Sequence, residues 1–285
     1  MVKLKMQKNN KLSDLGRRSA VTFIIIPLAF LAIYLGGWVY SGLIIVLLIF
    51  AAWEYIKLLN LVKMYPALPL VLGGVFLLSL SRVIFKFNYS SALLTALLLS
   101  IAAYHINQYE KGETNPSADF GSSISVLLYI GFLGSFLISL RALPNGRWWT
   151  YLSLPIVWIA DSGAYLIGST IGKHKLASKT SPNKTWEGYV GGVLFGILGG
   201  IGLFLLYNRV FEAGLDISLV ETALLSLIIS AFIPFGDLTE SMIKRTAGEK
   251  DSGNLLPGHG GIFDRIDSLI WAGPIAYYMI LHLFL

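Results

Sequence analysis

AVTFIIIPLAFLAIYL occupies residues 20–35 and LIIVLLIFAAW occupies residues 43–53, and neither block contains a charged residue. Similar blocks recur along the 285-residue chain, which is 55% hydrophobic and only 13% charged. A soluble domain carries about 25% charged residues, so this chain has too few to cover a water-facing surface. Because a helix needs roughly 20 mostly apolar residues to cross a bilayer, the sequence predicts an all-α polytopic membrane protein.

Hydropathy predicts about nine transmembrane helices. Their ranges are 20–36, 39–57, 67–85, 91–106, 122–140, 149–171, 186–207, 219–236 and 265–284. With this arrangement and a cytosolic N-terminus, 17 of the 22 Lys and Arg residues fall in cytosolic segments. The five on the other side are Arg82, Lys86, Arg141, Arg147 and Arg209. Since positive charge favours the cytosolic side, we expect the N-terminus in the cytosol and the C-terminus outside.

The polar residues are distributed unevenly, which indicates regions of different function along the chain. We expect residues 1–19 to be a basic cytosolic arm, 20–140 a scaffold of helices that also serves dimerisation, and 141–285 the catalytic region. The net charge of +6 is explained by topology and anionic lipid headgroups, so we expect no nucleic-acid partner. The chain has no cysteine, which excludes disulfides and thiolate metal sites.

The stretch from Asp161 to Lys175 places a carboxylate inside an apolar span. A carboxylate there is costly unless it is paired, hydrated or bound to a metal. Helical spacing puts Asp161, Tyr165, Gly168 and Gly172 on one face. Asp161 is therefore a candidate site residue, although a structural ion pair is an alternative, and small residues at this spacing often serve helix packing.

The stretch Ser181-Pro-Asn-Lys-Thr-Trp-Glu-Gly188 has the signal of a helix start at Ser181 and Pro182. Such a start, with Lys184 and Thr185 as donors, would be an anion site. A simple cap with lysines reaching to the membrane surface is the alternative. Glycines then recur every fourth residue, which indicates close helix packing. They are Gly188, Gly192, Gly196 and Gly200.

The segment 235–268 is the richest in chemistry-bearing residues. Helical spacing puts Asp237, Glu240, Ser241 and Lys244 on one face. On the helix after the loop, Asp264, Asp267 and Ser268 share another face. The loop between them carries Gly258, Gly260 and Gly261, which leave the backbone free to approach a phosphate.

This combination is what nucleotidyl transfer to a phosphate requires. Carboxylates from separate elements hold hard cations through oxygen. The cations and Lys or Arg neutralise charge while an oxygen attacks the α-phosphorus. A lipid phosphate is already ionised, so His259 need not act as a base; a phosphate contact and a structural role in the turn both remain open. A hydrated loop with salt bridges is the non-catalytic alternative.

At these residues the chain resembles the phosphatidate cytidylyltransferases, also called CDP-diacylglycerol synthases. Their signature is similar to Ser-x-x-Lys-Arg, four residues, Lys-Asp and an ending Pro-x-His-Gly-Gly-x-x-Asp-Arg-x-Asp. Here it reads Ser241 to Arg245, Lys250-Asp251 and Pro257 to Asp267. Members also carry stretches similar to Asp161–Tyr165 and Ser181–Gly188. Ser178 stands where many members have proline, which affects only the expected loop geometry.

The resemblance implies that CTP and phosphatidic acid react to give CDP-diacylglycerol and pyrophosphate, with Mg²⁺, at the cytosolic face of a bacterial-type inner membrane. It further implies a second, monovalent cation such as K⁺, a homodimer, and a metal centre at Asp237 and Asp264. The candidate catalytic residues are Asp237, Lys244, Arg245, Lys250, Asp251, His259 and Asp264. The candidate substrate-binding residues are Asp161, Asn183, Lys184, Thr185, Ser241, Gly258, Gly260, Gly261 and Arg265. The candidate metal ligands are Asp237, Asp264 and Asp267.

Other classes fit the sequence less well. A secondary transporter or lipid flippase would explain many spans, but such folds carry inverted repeats and midplane charges. This chain has no evident repeat, and its charges cluster toward one face. Enzymes that resemble polyprenyl-phosphate sugar-phosphate transferases carry adjacent aspartates, and those that resemble CDP-alcohol phosphotransferases begin their motif with Asp-Gly. Neither Asp-Asp nor Asp-Gly occurs in this sequence. We therefore expect a polar catalytic funnel that opens to the cytosol.

Overall fold

The computed structural model describes residues 27–255 and 260–285, and most of these residues are helical. The helices are α1 (27–35), α2 (Gly37–Leu61), α3 (Leu68–Ile84), α4 (Ser90–Glu110), α5 (Pro116–Val126), α6 (Phe136–Arg141), α7 (Gly146–Ile171), α8 (Trp186–Val210), α9 (Leu219–Phe232), α10 (Pro234–Thr246) and α11 (Phe263–Met279). A π-helical segment, Leu127–Leu133, joins α5 to α6, and another, Ile280–Phe284, follows α11. Strands β1 (Lys175–Ala177) and β2 (Ser181–Thr185) lie between α7 and α8.

Seven helical stretches of the described residues are long and apolar enough to cross a membrane, with mean hydropathy between 1.2 and 2.1. They are Gly37–Leu61, Ser90–Glu110, Pro116–Arg141, Gly146–Ile171, Trp186–Val210, Leu219–Thr246 and Phe263–Phe284. Each overlaps one of the predicted spans. The predicted span 67–85 corresponds to the shorter apolar helix α3, of 17 residues. The first span and the arm 1–19 lie partly or wholly outside the described residues, so a total of nine stays a prediction.

The β-hairpin corrects the predicted start of α8. Ser181 to Thr185 is strand β2, which pairs antiparallel with β1, and α8 begins only at Trp186. The helix is capped by the hydroxyl of Thr185, which accepts a hydrogen bond of 3.1 Å from Gly188 N. The prediction of a helix start at Ser181 and Pro182 is therefore wrong, because strand pairing uses these residues. The hairpin also adds two short strands to a chain that was predicted to be entirely helical.

Helices α7, α8 and α9 pack closely through the predicted glycine stripe of α8. A Cβ on Gly192 would lie 2.9 Å from the carbonyl oxygen of Ala160 on α7. Cβ atoms on Gly196 and Gly200 would collide with the Ser230 and Ser226 side chains of α9. The interpretation of this stripe as helix packing is therefore confirmed.

Helix α10 continues the line of α9 after a break at Ile233, where Pro234 occupies the first helical position. Whereas α9 is almost entirely apolar, α10 carries Asp237, Glu240, Lys244 and Arg245. It packs against α11, and the two backbones approach closely at Gly236. A Cβ on Gly236 would lie 2.6 Å from the carbonyl oxygen of Asp267. This contact brings the acidic faces of α10 and α11 together.

Candidate active site

A cavity of about 750 Å³ lies between α7, the β-hairpin, the start of α8, α10 and α11. The charged residues of its lining come from all of the polar segments that the sequence indicates. They are Asp161, Lys184, Asp237, Glu240, Lys244, Asp251, Asp264, Arg265 and Asp267. Carboxylates outnumber basic groups in this lining, so the cavity can accept cations together with an anionic ligand.

Three carboxylates converge at one point of the cavity wall. Asp237 and Glu240 lie one turn apart on α10, and Asp267 faces them from α11. One carboxylate oxygen of each lies within 4.8 Å of the others. Opposite ligands of a Mg²⁺ or Ca²⁺ ion are about 4–5 Å apart, since the ion–oxygen distance is about 2.0–2.6 Å. The three oxygens therefore form a donor set that suits a hard divalent cation.

Two lysines neutralise part of this acidic charge. Lys184 Nζ, from β2, forms an ion pair of 2.5 Å with Asp237 Oδ2. Lys244 Nζ lies 2.9 Å from Glu240 Oε2 and 2.5 Å from Asp264 Oδ1. Lys244 and Glu240 are buried. A buried ion pair is tolerated only when its members are well paired, so Lys244 holds Glu240 and Asp264 in place. The pair of Lys184 and Asp237 is partly exposed.

Asp264 is bonded mainly to the backbone and side chains of its own loop. Its Oδ2 accepts hydrogen bonds from Ser252 N at 2.9 Å, Ser252 Oγ at 2.8 Å and Gly261 N at 2.8 Å. Its Oδ1 accepts from Lys244. Within the described ranges, the acidic group that could share one ion contains Asp237, Glu240 and Asp267 but not Asp264. Ligation by Asp264 stays a prediction.

Most of the other predicted residues either line the cavity or contact its carboxylates. Asp161, Asn183, Thr185, Asp251 and Arg265 line the cavity. Ser241 is buried and donates a hydrogen bond of 3.1 Å to Asp237 Oδ1. Gly260 has a φ of +80°, and a Cβ there would lie 2.7 Å from the Asp264 carboxylate, which explains a glycine at this position.

Other predicted residues are not brought to the cavity or are not described. Arg245 is exposed and donates a hydrogen bond of 3.0 Å to the carbonyl of Glu249 at the end of α10. Lys250 is also exposed and is absent from the cavity lining. Gly258 and His259 lie outside the described residues. The roles predicted for these four residues stay predictions.

Glu240, Ser252 and Glu54 support the site but were not among the candidate site residues. Glu240 contributes to the acidic group, and its spacing of three from Asp237 was a usable signal. Ser252 bonds to Asp264, but a serine in a polar loop gives no signal of its own. Glu54 comes from α2, far away in sequence, and contacts the same loop. A lone carboxylate in an apolar span is a functional signal that could have singled out Glu54.

Comparison with known proteins places these features in a family. The protein-family model described as "Cytidylyltransferase family" matches residues 16–283 of the chain. A protein of Synechocystis sp. named phosphatidate cytidylyltransferase is 34% identical over 283 residues, which cover 90% of this chain and 92% of that protein. A protein of Staphylococcus saprophyticus with the same name is 30% identical over 265 residues, covering 92% and 98%.

A third relative is similar over a shorter range. The protein of this name from Bacillus subtilis is 40% identical over 154 residues, covering 54% of this chain and 55% of that protein.

Proposed function

Because the chain belongs to the cytidylyltransferase family, we propose that it transfers a cytidylyl group from CTP to phosphatidic acid. The products are CDP-diacylglycerol and pyrophosphate. The observation that supports this most is the convergence of Asp237, Glu240 and Asp267 beside Lys184 and Lys244 in one cavity. This cavity lies among helices apolar enough to cross a membrane, where a lipid substrate resides.

The acidic group is the proposed site of a divalent cation, taken to be Mg²⁺. Asp237, Glu240 and Asp267 would hold it through their carboxylate oxygens, and the donor set fits because all three offer hard oxygen ligands. When bound, the cation supplies charge neutralisation and polarises the phosphate oxygens of the nucleotide. Binding of a second, monovalent cation such as K⁺ remains an implication of the family resemblance.

The reaction is a displacement at the α-phosphorus of CTP. An ionised oxygen of the lipid phosphate forms a bond to this phosphorus, and the bond to the bridging oxygen of the β-phosphate breaks. The electron pair leaves with pyrophosphate. Since the attacking oxygen carries no proton at neutral pH, no side chain has to act as a general base. Positioning and charge stabilisation then account for catalysis.

Lys184, Lys244 and Arg265 are the proposed phosphate contacts, since they are the basic groups that line the cavity among the described residues. In the structure Lys184 is paired with Asp237. If Asp237 held the cation, the Lys184 ammonium would be available to a phosphate oxygen. Lys244 would keep Glu240 and Asp264 in place while the charge on the phosphates develops.

The assay uses purified protein in detergent micelles with phosphatidic acid, Mg²⁺ and CTP labelled on the α-phosphate. Label should appear in the lipid extract as CDP-diacylglycerol, with one pyrophosphate released for each lipid formed. Chelation with EDTA should stop the reaction, and added Mg²⁺ should restore it. Omission of phosphatidic acid is the control. A purified, folded protein that leaves the lipid extract unlabelled would refute the proposed function.

We further propose that the cavity opens to the cytosol at the inner membrane of a bacterial-type cell. The charge asymmetry of the sequence supports this orientation. Sealed inside-out vesicles should convert added CTP, whereas right-side-out vesicles should not. Equal conversion by both would contradict a cytosolic site. The homodimer implied by the resemblance is testable in parallel by the mass of the detergent-solubilised protein.

A further inference from the structure

Glu54 is a carboxylate buried in the N-terminal half of the protein, away from the segments that carry the proposed chemistry. It lies on α2, about two turns before the helix ends at Leu61, and is 0% exposed. An ionisable side chain within an apolar membrane helix is unfavourable unless specific partners compensate for the lost hydration. Its partners therefore indicate why the residue is there.

The carboxylate of Glu54 caps the N-terminus of α11. Its Oε2 accepts a hydrogen bond of 2.8 Å from the backbone N–H of Phe263, the first residue of that helix. The preceding residue, Ile262, has no side chain that could cap the helix. An anion at a helix N-terminus is favoured by the exposed N–H groups and by the helix dipole. Glu54 thus provides from another helix the cap that the local sequence lacks.

Ser252 links Glu54 to Asp264. Its Oγ lies 3.1 Å from Glu54 Oε2 and 2.8 Å from Asp264 Oδ2. The hydroxyl has one hydrogen, so it donates to one carboxylate at a time. Its oxygen nevertheless stays between the two, while the backbone N–H of Ser252 binds Asp264 as well. A displacement of Glu54 would therefore shift Ser252, and with it the carboxylate of Asp264.

Two loop glycines pack directly against the Glu54 side chain. A Cβ added to Gly253 or to Gly261 would collide with the carboxylate of Glu54. One glycine precedes the loop stretch 256–259 and the other follows it, so Glu54 contacts the loop on both sides of that stretch. Next to it, the rings of Tyr55 and Phe263 stack with their centroids 5.5 Å apart. Helix α2 is thus docked onto the loop and onto the start of α11.

We infer that Glu54 is a positioning residue for the active site. It holds the first turn of α11, and thereby sets Asp264 and, one turn later, Asp267 relative to α10. The inference rests on the proposed function only for its activity readout. Its structural content, an anchor from α2 that fixes the acidic residues of α11, also has consequences for cation binding and for backbone exchange.

The test compares three substitutions at this position. Glu54→Ala removes the cap, and Glu54→Asp shortens the side chain so that it no longer reaches Phe263 N. Both should lower kcat about 10- to 100-fold and weaken Mn²⁺ binding, measured by electron paramagnetic resonance, by a similar factor. Glu54→Gln retains an oxygen acceptor of the same reach, so it should restore both properties to within about threefold of the wild type.

Backbone exchange and a coupled variant separate positioning from overall stability. Amide hydrogen exchange in residues 262–268 should be faster in Glu54→Asp, while α4 exchanges as in the wild type. Ser252→Ala should reduce activity, and its effect should be non-additive with that of Glu54→Asp, because both interrupt one connection. Tyr55→Phe, one residue from Glu54 on α2, is the matched control. It removes a hydrogen bond between Tyr55 and Ser125 of α5 but keeps the ring stacked on Phe263, so exchange in residues 262–268 and Mn²⁺ binding should stay as in the wild type.

The outcomes distinguish this inference from the proposed function. Wild-type Mn²⁺ affinity and kcat in Glu54→Asp would overturn it, as would equal losses in Glu54→Gln and Glu54→Asp. Additive effects of Ser252→Ala and Glu54→Asp would overturn it too. If Glu54→Ala does not fold, Glu54→Asp and Ser252→Ala still decide. If the wild type binds Mn²⁺ but forms no CDP-diacylglycerol, the proposed function fails, whereas the Mn²⁺ and exchange measurements still test the role of Glu54.

Discussion

At the scale of single residues, the site combines carboxylates that repel one another with lysines that pair with them. Asp237 is paired with Lys184, and Glu240 and Asp264 share Lys244. This pairing offsets the repulsion among carboxylates that lie close together. The same lysines are then close to the position where phosphate charge would develop.

The acidic group can be tested by removing one charge at a time. Asp237→Asn and Asp267→Asn should each lower kcat by about 100-fold or more, since an interaction with charge in the transition state is lost. Mn²⁺ binding should weaken in both. We expect Asp264→Asn to be inactive as well, because its carboxylate orders the loop through Ser252 and Gly261. Near-wild-type turnover of a variant at saturating Mg²⁺ would remove that residue from the site.

The matched control for these variants is Asp216→Asn. Asp216 is exposed between α8 and α9 and is not part of the cavity lining. Its substitution makes the same chemical change and should leave turnover and Mn²⁺ binding unchanged. All of these variants should remain folded in detergent, which a cooperative thermal unfolding transition would show.

Lys184 is the second test at this scale. Lys184→Ala should lower the rate about 10²- to 10³-fold if the ammonium contacts a phosphate in the transition state. Lys179→Ala is the control, since Lys179 is exposed at the turn of the same hairpin. Steady-state kinetics for CTP and phosphatidic acid would separate the effects on kcat and KM. Unchanged kinetic constants in Lys184→Ala would mean that Lys184 serves only to pair with Asp237.

At the scale of elements, close packing of α7, α8 and α9 sets the positions of α7 and the start of α8, both of which line the cavity. Glycine is required on α8 where a neighbouring backbone or side chain leaves no room for a Cβ, as at Gly192 and Gly196. Close approach of this kind drives helix association in membranes, since lipid tails are as apolar as the side chains. The packing of these helices therefore determines where Asp161 and Lys184 face the acidic residues of α10.

The same substitution should have opposite effects at a glycine inside the stripe and at one outside it on α8. Gly196→Ala places a methyl group 2.7 Å from Ser230 Cβ, so it should destabilise the protein by about 1–3 kcal/mol. Gly202→Ala meets nothing within 4 Å and should be neutral or stabilising by up to about 1 kcal/mol, because alanine favours the helix. Thermal unfolding in detergent measures both. A Gly196→Ala variant as stable as Gly202→Ala would contradict the packing role.

At the scale of the whole molecule, the N-terminal and C-terminal helices share one core. Buried residues of α2, α3, α6, α7, α9 and α11 belong to a single apolar cluster. Glu54 adds a polar connection between α2 and the loop before α11. Helix α2 of the predicted scaffold therefore contacts the loop that holds Asp264 and the start of α11. Changes in α2 can reach the active site without any contact to substrate.

Membrane topology provides the prediction at this scale. An odd number of spans places the two termini on opposite sides, and the distribution of Lys and Arg orients the N-terminus toward the cytosol. Reporter fusions at Met1 and Leu285 should therefore give opposite signals, with the cytosolic signal at Met1. Termini on the same side would refute the predicted count of nine.

The amino-acid sequence alone determined the membrane class, most of the helices and the residue types of the site. It could do so because hydropathy and helical periodicity act within a segment, where spacing along the chain fixes which residues share a face. Asp237 and Glu240 on one face of α10 follow from this rule, as do the packing glycines of α8. The resemblance of 241–267 to a known signature added the reaction.

Only the tertiary structure decided which of these segments meet. The approach of α10 to α11 at Gly236 places Asp267 beside Asp237 and Glu240, whereas Asp264 is directed to Lys244 and its own loop. Strand pairing moves the start of α8 to Trp186. The contact of Glu54 with Phe263 spans 209 positions of sequence. Contacts between distant segments depend on how whole helices pack, and no local pattern of side chains predicts which segments will meet.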